Sequence, residues 1–300
     1  MMNDSATSLV LDYVGNMGDY WDGNSRQEKK SSGRFNLLKK NLGWSGKSLV
    51  SLVSEVAEIR ILESGKTIYL SSFGSSGSHL IQHIIDLTVP AIPLGEVYIA
   101  PRLERELKKL SSDQKFKFIE MYHLIHSTSP NTLFSNSVIV NTAHKAKLQT
   151  FSEATANFSS AFIVRNPVDL VMSRTFRKDE YRKYLGKDGG DDYEYLVENI
   201  EKTVKYYKSA FSYSYDEYLV FEDLFSDKNG LVSSISNLIG REVDGAEIKS
   251  NIEKALNEGK TTNKYKGEVV EISDDFYGVA KKMLSGIMED IDRRGLKVYG

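Results

Sequence analysis

The chain has 300 residues, of which 40% are hydrophobic and 27% are charged, as in ordinary globular proteins of one large domain or two modest ones. Its net charge of -2 disfavours a general nucleic-acid or membrane-surface binder, and the absence of cysteine excludes disulfides, cysteine-ligated metals and thiol nucleophiles. The N-terminus has no signal-peptide pattern, and no apolar run reaches the roughly 18 to 20 residues of a membrane span. We therefore expect a cytoplasmic protein with no membrane or nucleic-acid partner.

The pattern of apolar residues predicts an α/β protein. Residues 1–46 are polar and rich in Gly, Asn, Ser and Lys, which predicts an irregular N-terminal arm. Strands are predicted at 67–73, 137–142, 160–165 and 217–221. Helices are predicted at 48–60, 78–87, 102–125, from 167 onward, 191–212 and 224–239. Strands that alternate with helices imply a central parallel sheet covered on both faces, here in one domain over residues 47–300.

A loop of small residues joins the first predicted strand to a helix. It consists of Gly74, Ser75, Ser76, Gly77, Ser78 and His79. Small residues allow several backbone N–H groups to converge, and the following helix N-terminus adds partial positive charge, so the loop predicts an anion site. The alternative is a flexible connection with no ligand. The loop has no lysine after Gly77 and is not a Walker A motif, which disfavours a metal-dependent kinase or ATPase.

The second motif follows the third predicted strand. It runs from Arg165 through Asn166, Pro167 and Asp169 to Ser173, and it resembles the RNPxDxxxS motif that binds the 3'-phosphate in sulfotransferases dependent on 3'-phosphoadenosine-5'-phosphosulfate (PAPS). An arginine fork suits a phosphate, and a serine two helical turns later faces the same way. The alternative is an ordinary arginine at a strand end beside a helix-capping aspartate. The resemblance implies a P-loop-like sulfotransferase fold, PAPS as donor and no metal.

This resemblance identifies the Gly/Ser loop with the family's 5'-phosphosulfate loop. Ser76 and Gly77 match the family pattern, and Ser78 replaces a threonine. Ser75 stands where the family typically has a lysine, and Leu80 stands where it commonly has a tryptophan. Another cation is then expected to replace the lysine, unless loop N–H groups and hydroxyls suffice. The candidates by position in the sequence are Lys145, Arg174 and Lys147.

His144 lies in a stretch, residues 140–145, that resembles the family segment whose histidine is the general base. An imidazole suits removal of a proton from an acceptor. The alternative is that His144 ends a strand and bonds a carbonyl. His123 and His126 are expected to be core or surface histidines rather than ligands, and a metal at His79 and His83 is not expected because no carboxylate sits beside them.

Three further stretches carry weaker signals. Lys264, Lys266 and Gly267 resemble the late segment that closes over the 3'-phosphate, although a solvated basic loop is the alternative. Residues 218–224 resemble an architectural strand of the family that ends in YEDL. The basic stretch that includes Arg174, Arg177, Lys178, Arg182 and Lys183 is interpreted as a solvated helix face, or alternatively as the edge of the donor site or the site of an anionic acceptor.

These observations predict a sulfotransferase that moves the sulfuryl group of PAPS to a hydroxyl or amine of a small-molecule or saccharide acceptor. Two other functions remain open. One is a phosphotransferase that uses a nucleoside triphosphate, and the other is a catalytically silent protein that binds PAPS or its product. The sequence predicts neither the acceptor nor the oligomeric state.

Overall fold

The computed structural model describes residues 4–129, 136–144, 146, 149–176, 182–183, 185–187, 189–226, 228–241, 243–258 and 272–298. Its centre is a five-stranded parallel sheet with the order β2-β3-β1-β4-β5, flanked by helices. The strands are β1 (Thr67–Ser72), β2 (Ala91–Gly95), β3 (Val138–Ala143), β4 (Phe158–Val164) and β5 (Glu217–Val220). The predicted α/β class with a central parallel sheet is confirmed.

From β1 to β5, strands alternate with helices, as expected of an α/β protein. In chain order they are α1 (Ser5–Gly15), α2 (Met17–Tyr20), α3 (Ser25–Leu42), α4 (Gly46–Leu62), α5 (Ser78–Thr88), α6 (Pro101–Leu107), α7 (Ser112–Ile125), α8 (Gln149–Glu153), α9 (Pro167–Phe176), α10 (Asp192–Ala210), α11 (Asn229–Ile239), α12 (Gly245–Asn257) and α13 (Asp274–Arg293). A 3₁₀ turn, Phe221–Leu224, follows β5. Within the described ranges, no helix is both long and apolar enough to cross a lipid bilayer.

The chain divides into two compact units. Unit 1 comprises residues 1–69, 85–143 and 148–159, and unit 2 comprises residues 70–84, 144–147 and 160–300. In unit 1, β2 and β3 pair in parallel, with Ala91 opposite Val138. The core of unit 1 is apolar and aromatic, and it draws on α1, α4 and α7.

Unit 2 contains the pairing of β4 with β5, in which Ala161 lies opposite Glu217 and Val164 opposite Val220. One apolar cluster joins α9, α10 and α13 through residues such as Leu170, Leu196 and Leu284. A second cluster packs α10 and α13 around β4 through Phe162 and Val164. Burial of such side chains stabilises each by about 1.5 to 3 kcal/mol relative to exposure.

The N-terminal segment that we predicted to be irregular is helical instead. Asp4 caps α1 by accepting a hydrogen bond from the N–H of Thr7, and Asn24 caps α3 in the same way. The low mean hydropathy of α3 concealed its helical pattern, since only Ser31, Phe35 and Leu38 are buried. Such a narrow buried stripe is stabilised by tertiary packing more than by local propensity.

The predicted helix over 102–125 is two helices, α6 and α7. The break falls where Ser111 caps α7 by accepting a hydrogen bond from the N–H of Gln114. Charged residues run through both helices and masked this boundary in the sequence pattern. The short strand β2 was not predicted, because its sequence AIPLG includes a proline and a glycine that are unusual within strands.

Candidate anion-binding and catalytic site

The Gly/Ser loop follows β1 within unit 2 and leads directly into α5. The N–H of Ser76 donates to the carbonyl of Phe73 over 3.1 Å, which closes a tight turn. Ser75 and Gly77 have left-handed φ values of 85° and 84°. A Cβ at residue 77 would overlap the ring of Phe221, so this position requires glycine for space as well as for its backbone conformation.

The loop holds polar groups that need a partner. The hydroxyls of Ser75 and Ser76 are buried, and neither bonds to any residue that the structure describes. The backbone N–H groups of Gly77 and Ser78 likewise have no acceptor among the described residues. Leaving a buried polar group unsatisfied costs about 1 to 3 kcal/mol. Donors collected at the N-terminus of an eleven-residue helix fit a bound anion.

Arg165 lies between β4 and α9 and contacts this loop. Its Nη1 donates to the carbonyl oxygen of Ser75 over 2.6 Å, and its Cζ lies 4.7 Å from the centre of the Phe221 ring. Both the loop and Arg165 therefore use Phe221 as a packing surface. The two motifs identified in the sequence, separated by 90 residues, are in direct contact within unit 2.

Two residues outside the predicted set of site residues hold Arg165 and Asn166 in position. The hydroxyl of Tyr207 accepts from the N–H of Arg165 and donates to its carbonyl, over 3.2 and 2.7 Å. Oε1 of Glu222 accepts from the N–H of Asn166 over 2.8 Å. Burial raises the pKa of both Glu222 and Tyr207. The YEDL-like stretch was the available signal for Glu222; Tyr207 lies in α10 and carried none.

Asn166 shapes the start of α9. Its Oδ1 accepts from the N–H of Val168 over 2.9 Å, which satisfies a donor of the first helical turn. Ser173 lies in the same helix and is half-buried. Asn166 thus fixes the position at which α9 begins. Arg165 lies just before this point, and Ser173 lies within the helix.

His144 immediately follows β3 and belongs to unit 2. Its Nδ1 lies 2.9 Å from the carbonyl oxygen of Ser72, the last residue of β1 before the loop, and 3.4 Å from the Ser72 hydroxyl. A carbonyl oxygen only accepts, so Nδ1 carries the proton. The neutral ring then has its lone pair on Nε2, the nitrogen that a general base would use.

The structure describes one of the three cations considered for the loop. Arg174 in α9 donates from Nη1 to the carbonyl of Gly74 over 3.0 Å, so it is turned toward the loop rather than lying on a solvated helix face. Arg182 of the same basic stretch pairs with Asp192. Lys145 and Lys147 lie outside the described residues.

The remaining predicted residues lie in α5 or outside the described residues. His79 is exposed in the first turn of α5. The side chain of Leu80 is only 3% exposed, so it packs in the core and is not available to a ligand. His83 bonds Glu258 over 3.0 Å. Lys264, Lys266 and Gly267 lie outside the described residues.

No protein-family model and no curated protein matches the sequence. Solved structures of several sulfotransferases resemble the chain in fold. Sulfotransferase STF9 from Mycobacterium avium is 10% identical, with a TM-score of 0.48, over 92% of this chain and 86% of that one. The sulfotransferase domain of the curacin biosynthetic pathway is 13% identical, with a TM-score of 0.41, over 78% and 99% of the two chains. STF1 from Mycobacterium tuberculosis is 10% identical, with a TM-score of 0.41, over 94% and 96%.

Proposed function

We propose that this protein is a PAPS-dependent sulfotransferase that acts on a hydroxyl or amine of a small-molecule or saccharide acceptor. The observation that carries the proposal is the hydrogen bond from Arg165 to the carbonyl of Ser75. It joins a loop whose two buried hydroxyls bond to none of the described residues to the motif that resembles a 3'-phosphate site. A nucleotide with phosphate groups at both its 3' and 5' positions needs two such anion sites close together.

The residues fit the donor in several respects. The loop supplies hydroxyl and N–H donors for the 5'-phosphosulfate, and glycine at residue 77 lets the backbone pass against the ring of Phe221. Arg165 and Ser173 would bind the 3'-phosphate, with Lys264, Lys266 and Gly267 proposed to close over it. Leu80 does not offer the stacking surface that a tryptophan would, so adenine would have to rely on other contacts.

His144 is proposed to act as the general base. With its proton held on Nδ1 by the carbonyl of Ser72, Nε2 would take the proton of the acceptor as the acceptor oxygen or nitrogen attacks sulfur. The bond between sulfur and the 5'-phosphate oxygen breaks in the same displacement, and adenosine 3',5'-bisphosphate leaves. The loop donors would meet the charge that develops on the departing oxygen.

A ligand-induced shift in the unfolding midpoint tests the donor. Adenosine 3',5'-bisphosphate should raise the midpoint, because a ligand that binds only the native state stabilises it, by about 2.7 kcal/mol at a hundredfold excess over Kd. ATP with magnesium should raise it much less. If ATP with magnesium stabilises the protein and the bisphosphate does not, a phosphotransferase replaces the sulfotransferase as the better proposal.

Turnover distinguishes an enzyme from a silent nucleotide-binding protein. Labelled PAPS incubated with a panel of phenols, alcohols, amines and saccharides should yield a labelled product with at least one acceptor class. Binding of the bisphosphate without release of label to any acceptor or to water would instead support the silent protein. The same panel would identify whether oxygen or nitrogen accepts the sulfuryl group.

A further inference from the structure

Charge distinguishes the Gly/Ser loop from an ordinary anion-binding loop. Residues 74–79 contain no lysine or arginine, so apart from the exposed His79 the loop itself offers only dipoles and hydroxyls. A phosphosulfate is a multiply charged anion, and hydrogen bonds in which the donor is ionised are about twice as strong as neutral ones. A cation from elsewhere in the fold would therefore make a large contribution.

Arg174 is positioned to provide that cation. Its Nη1 donates to the carbonyl of Gly74, and its Cζ lies 4.4 Å from the centre of the Phe73 ring. A Cβ built on Gly74 would come within 2.6 Å of Nη1, closer than any real Cβ contact. The guanidinium therefore fills the space that a side chain at residue 74 would take.

The environment of Arg174 keeps its guanidinium in this place. Nε lies 3.4 Å from Oδ1 of Asn199, which is itself buried. Asn199 is fixed in turn, since its amide donates to the hydroxyl of Thr175 and to the carbonyl of Tyr195 over 3.2 and 3.1 Å. Phe73, on which the guanidinium stacks, packs against Tyr206 with 5.0 Å between ring centres. A preorganised charge loses little entropy when the anion arrives.

We infer that Arg174 supplies the positive charge of the Gly/Ser loop and binds the 5'-phosphosulfate end of the donor. This inference rests on the proposed function and adds to it a residue from α9 that serves the loop. A purely structural role, in which Arg174 only tethers the carbonyl of Gly74, is the competing explanation. In the first explanation, the charge of Arg174 determines the affinity for the donor. In the second, only its hydrogen bond to the carbonyl of Gly74 contributes.

Two substitutions separate these explanations. Arg174→Gln keeps an N–H donor for the carbonyl but removes the charge, whereas Arg174→Lys keeps the charge and loses the planar fork. We expect Arg174→Gln to raise the calorimetric Kd for adenosine 3',5'-bisphosphate about tenfold or more, and Arg174→Lys to raise it about threefold or less. Equal Kd values for Arg174→Gln and the wild type would overturn the inference. So would a larger loss of affinity in Arg174→Lys than in Arg174→Gln.

A ligand that lacks the 5' group localises the effect. The Kd of adenosine 3'-monophosphate should stay within about twofold of the wild type in Arg174→Gln. An equal loss for both ligands would mean that Arg174 does not act at the 5' end. A wild-type protein that binds neither ligand would overturn the proposed function together with this inference, whereas normal wild-type binding with no effect of Arg174 overturns the inference alone.

Arg294 provides a matched control within the same unit. It also stacks on a phenylalanine, with Cζ 4.4 Å from the centre of the Phe211 ring, and it donates to a carbonyl, that of Phe211, over 2.9 Å. Its described contacts include no residue of the loop. Arg294→Gln should leave both Kd values within about twofold, and comparable unfolding midpoints for the two glutamine variants would exclude a general loss of folding.

A double-mutant cycle with Gly74 tests the contact itself. Gly74→Ala introduces the Cβ that would displace Nη1, so it should weaken bisphosphate binding in the wild type and have little further effect in Arg174→Gln. If the losses of binding free energy in the two single variants add up in the double variant, the two substitutions do not act by removing the same guanidinium from the loop.

Discussion

His123 and His126 lie near the end of α7 and are buried in unit 1, whereas His144 follows β3, belongs to unit 2 and is half-buried. The hydroxyls of Tyr69 and Tyr13 lie 2.6 and 3.2 Å from the Nε2 atoms of His123 and His126. The Nδ1 of His144 instead lies toward the carbonyl of Ser72, beside the Gly/Ser loop. The same residue type is thus a core component in one unit and a candidate base in the other.

Burial explains the difference. Burial, followed by the charge of Arg60, lowers the pKa of His123 to about 3, and burial likewise lowers the pKa of His126 to about 4. Both rings therefore stay neutral near pH 7 and serve as packing and hydrogen-bonding groups. His144, by contrast, is half-buried at the end of a strand, and its Nδ1 is held by the carbonyl of Ser72.

Substitution of His144 should have the largest effect on turnover. If the ring is the general base, His144→Ala should lower the turnover number by about 10²- to 10⁴-fold, the usual contribution of a positioned base. The Kd of adenosine 3',5'-bisphosphate should change by less than about twofold, as measured by calorimetry. His83→Ala, which removes a histidine paired with Glu258, is the matched control and should retain turnover. Normal turnover in His144→Ala would remove it from the base role.

Substitution of His123 should affect stability instead of chemistry. His123→Ala leaves a cavity beside Phe151 and removes the partner of the Tyr69 hydroxyl, so we expect a loss of about 3 kcal/mol in the free energy of unfolding. Urea denaturation measures this loss. The turnover number per folded molecule should stay within about twofold, and a selective loss of turnover at unchanged stability would contradict the assignment to the core.

Acid should destabilise the protein through the same buried histidines. Their folded-state pKa values of about 3 and 4 lie below the ordinary value of 6.5, so the unfolded chain binds more protons between these limits. Their stabilising contribution is complete above pH 6.5 and falls as the pH drops toward 4, by up to about 1.4 kcal/mol per pH unit for each histidine. Urea titrations between pH 7 and 4.5 give the free energy of unfolding at each pH. This free energy should fall less steeply with decreasing pH in His126→Gln than in the wild type. Identical slopes would mean that His126 does not titrate in this way.

Substitution of Tyr215 should have the smallest effect on turnover, and it tests how the segment after His144 is held in place. Its hydroxyl donates to the carbonyl of Ala146 over 2.8 Å, two residues beyond His144. Burial raises the pKa of Tyr215 to about 12, so the hydroxyl keeps its proton as a donor. Tyr215→Phe should lower the turnover number about three- to tenfold at unchanged bisphosphate Kd, since one hydrogen bond contributes about 0.5 to 1.5 kcal/mol. An altered Kd at unchanged turnover would place the effect on donor binding instead.

Much of the α/β framework was predictable because its signals are local. The runs that form β1, β3 and β4 are short and apolar, and Pro167 marks the start of α9. The helix α3 was missed because its sequence is mostly polar and only three of its side chains are buried, and the shorter α1 and α2 were assigned with it to one irregular arm. The site followed the same rule, since Arg165 and the Gly/Ser loop carry recognisable local patterns. Tyr207 and Glu222 act only through contacts with distant residues.

By itself, the sequence determined four of the five strands, most helices after residue 47, the small-residue loop and the arginine motif after β4, because each depends on neighbours within a few residues. Only the tertiary structure decided which arginines contact the loop, which nitrogen of His144 faces a carbonyl and which histidines are too buried to ionise. These properties depend on atoms brought together from positions 100 or more residues apart, as in the contacts between Arg174 and Gly74 and between Tyr13 and His126. Hydrogen-bond direction and burial set the chemistry of each group, and both exist only in the folded chain.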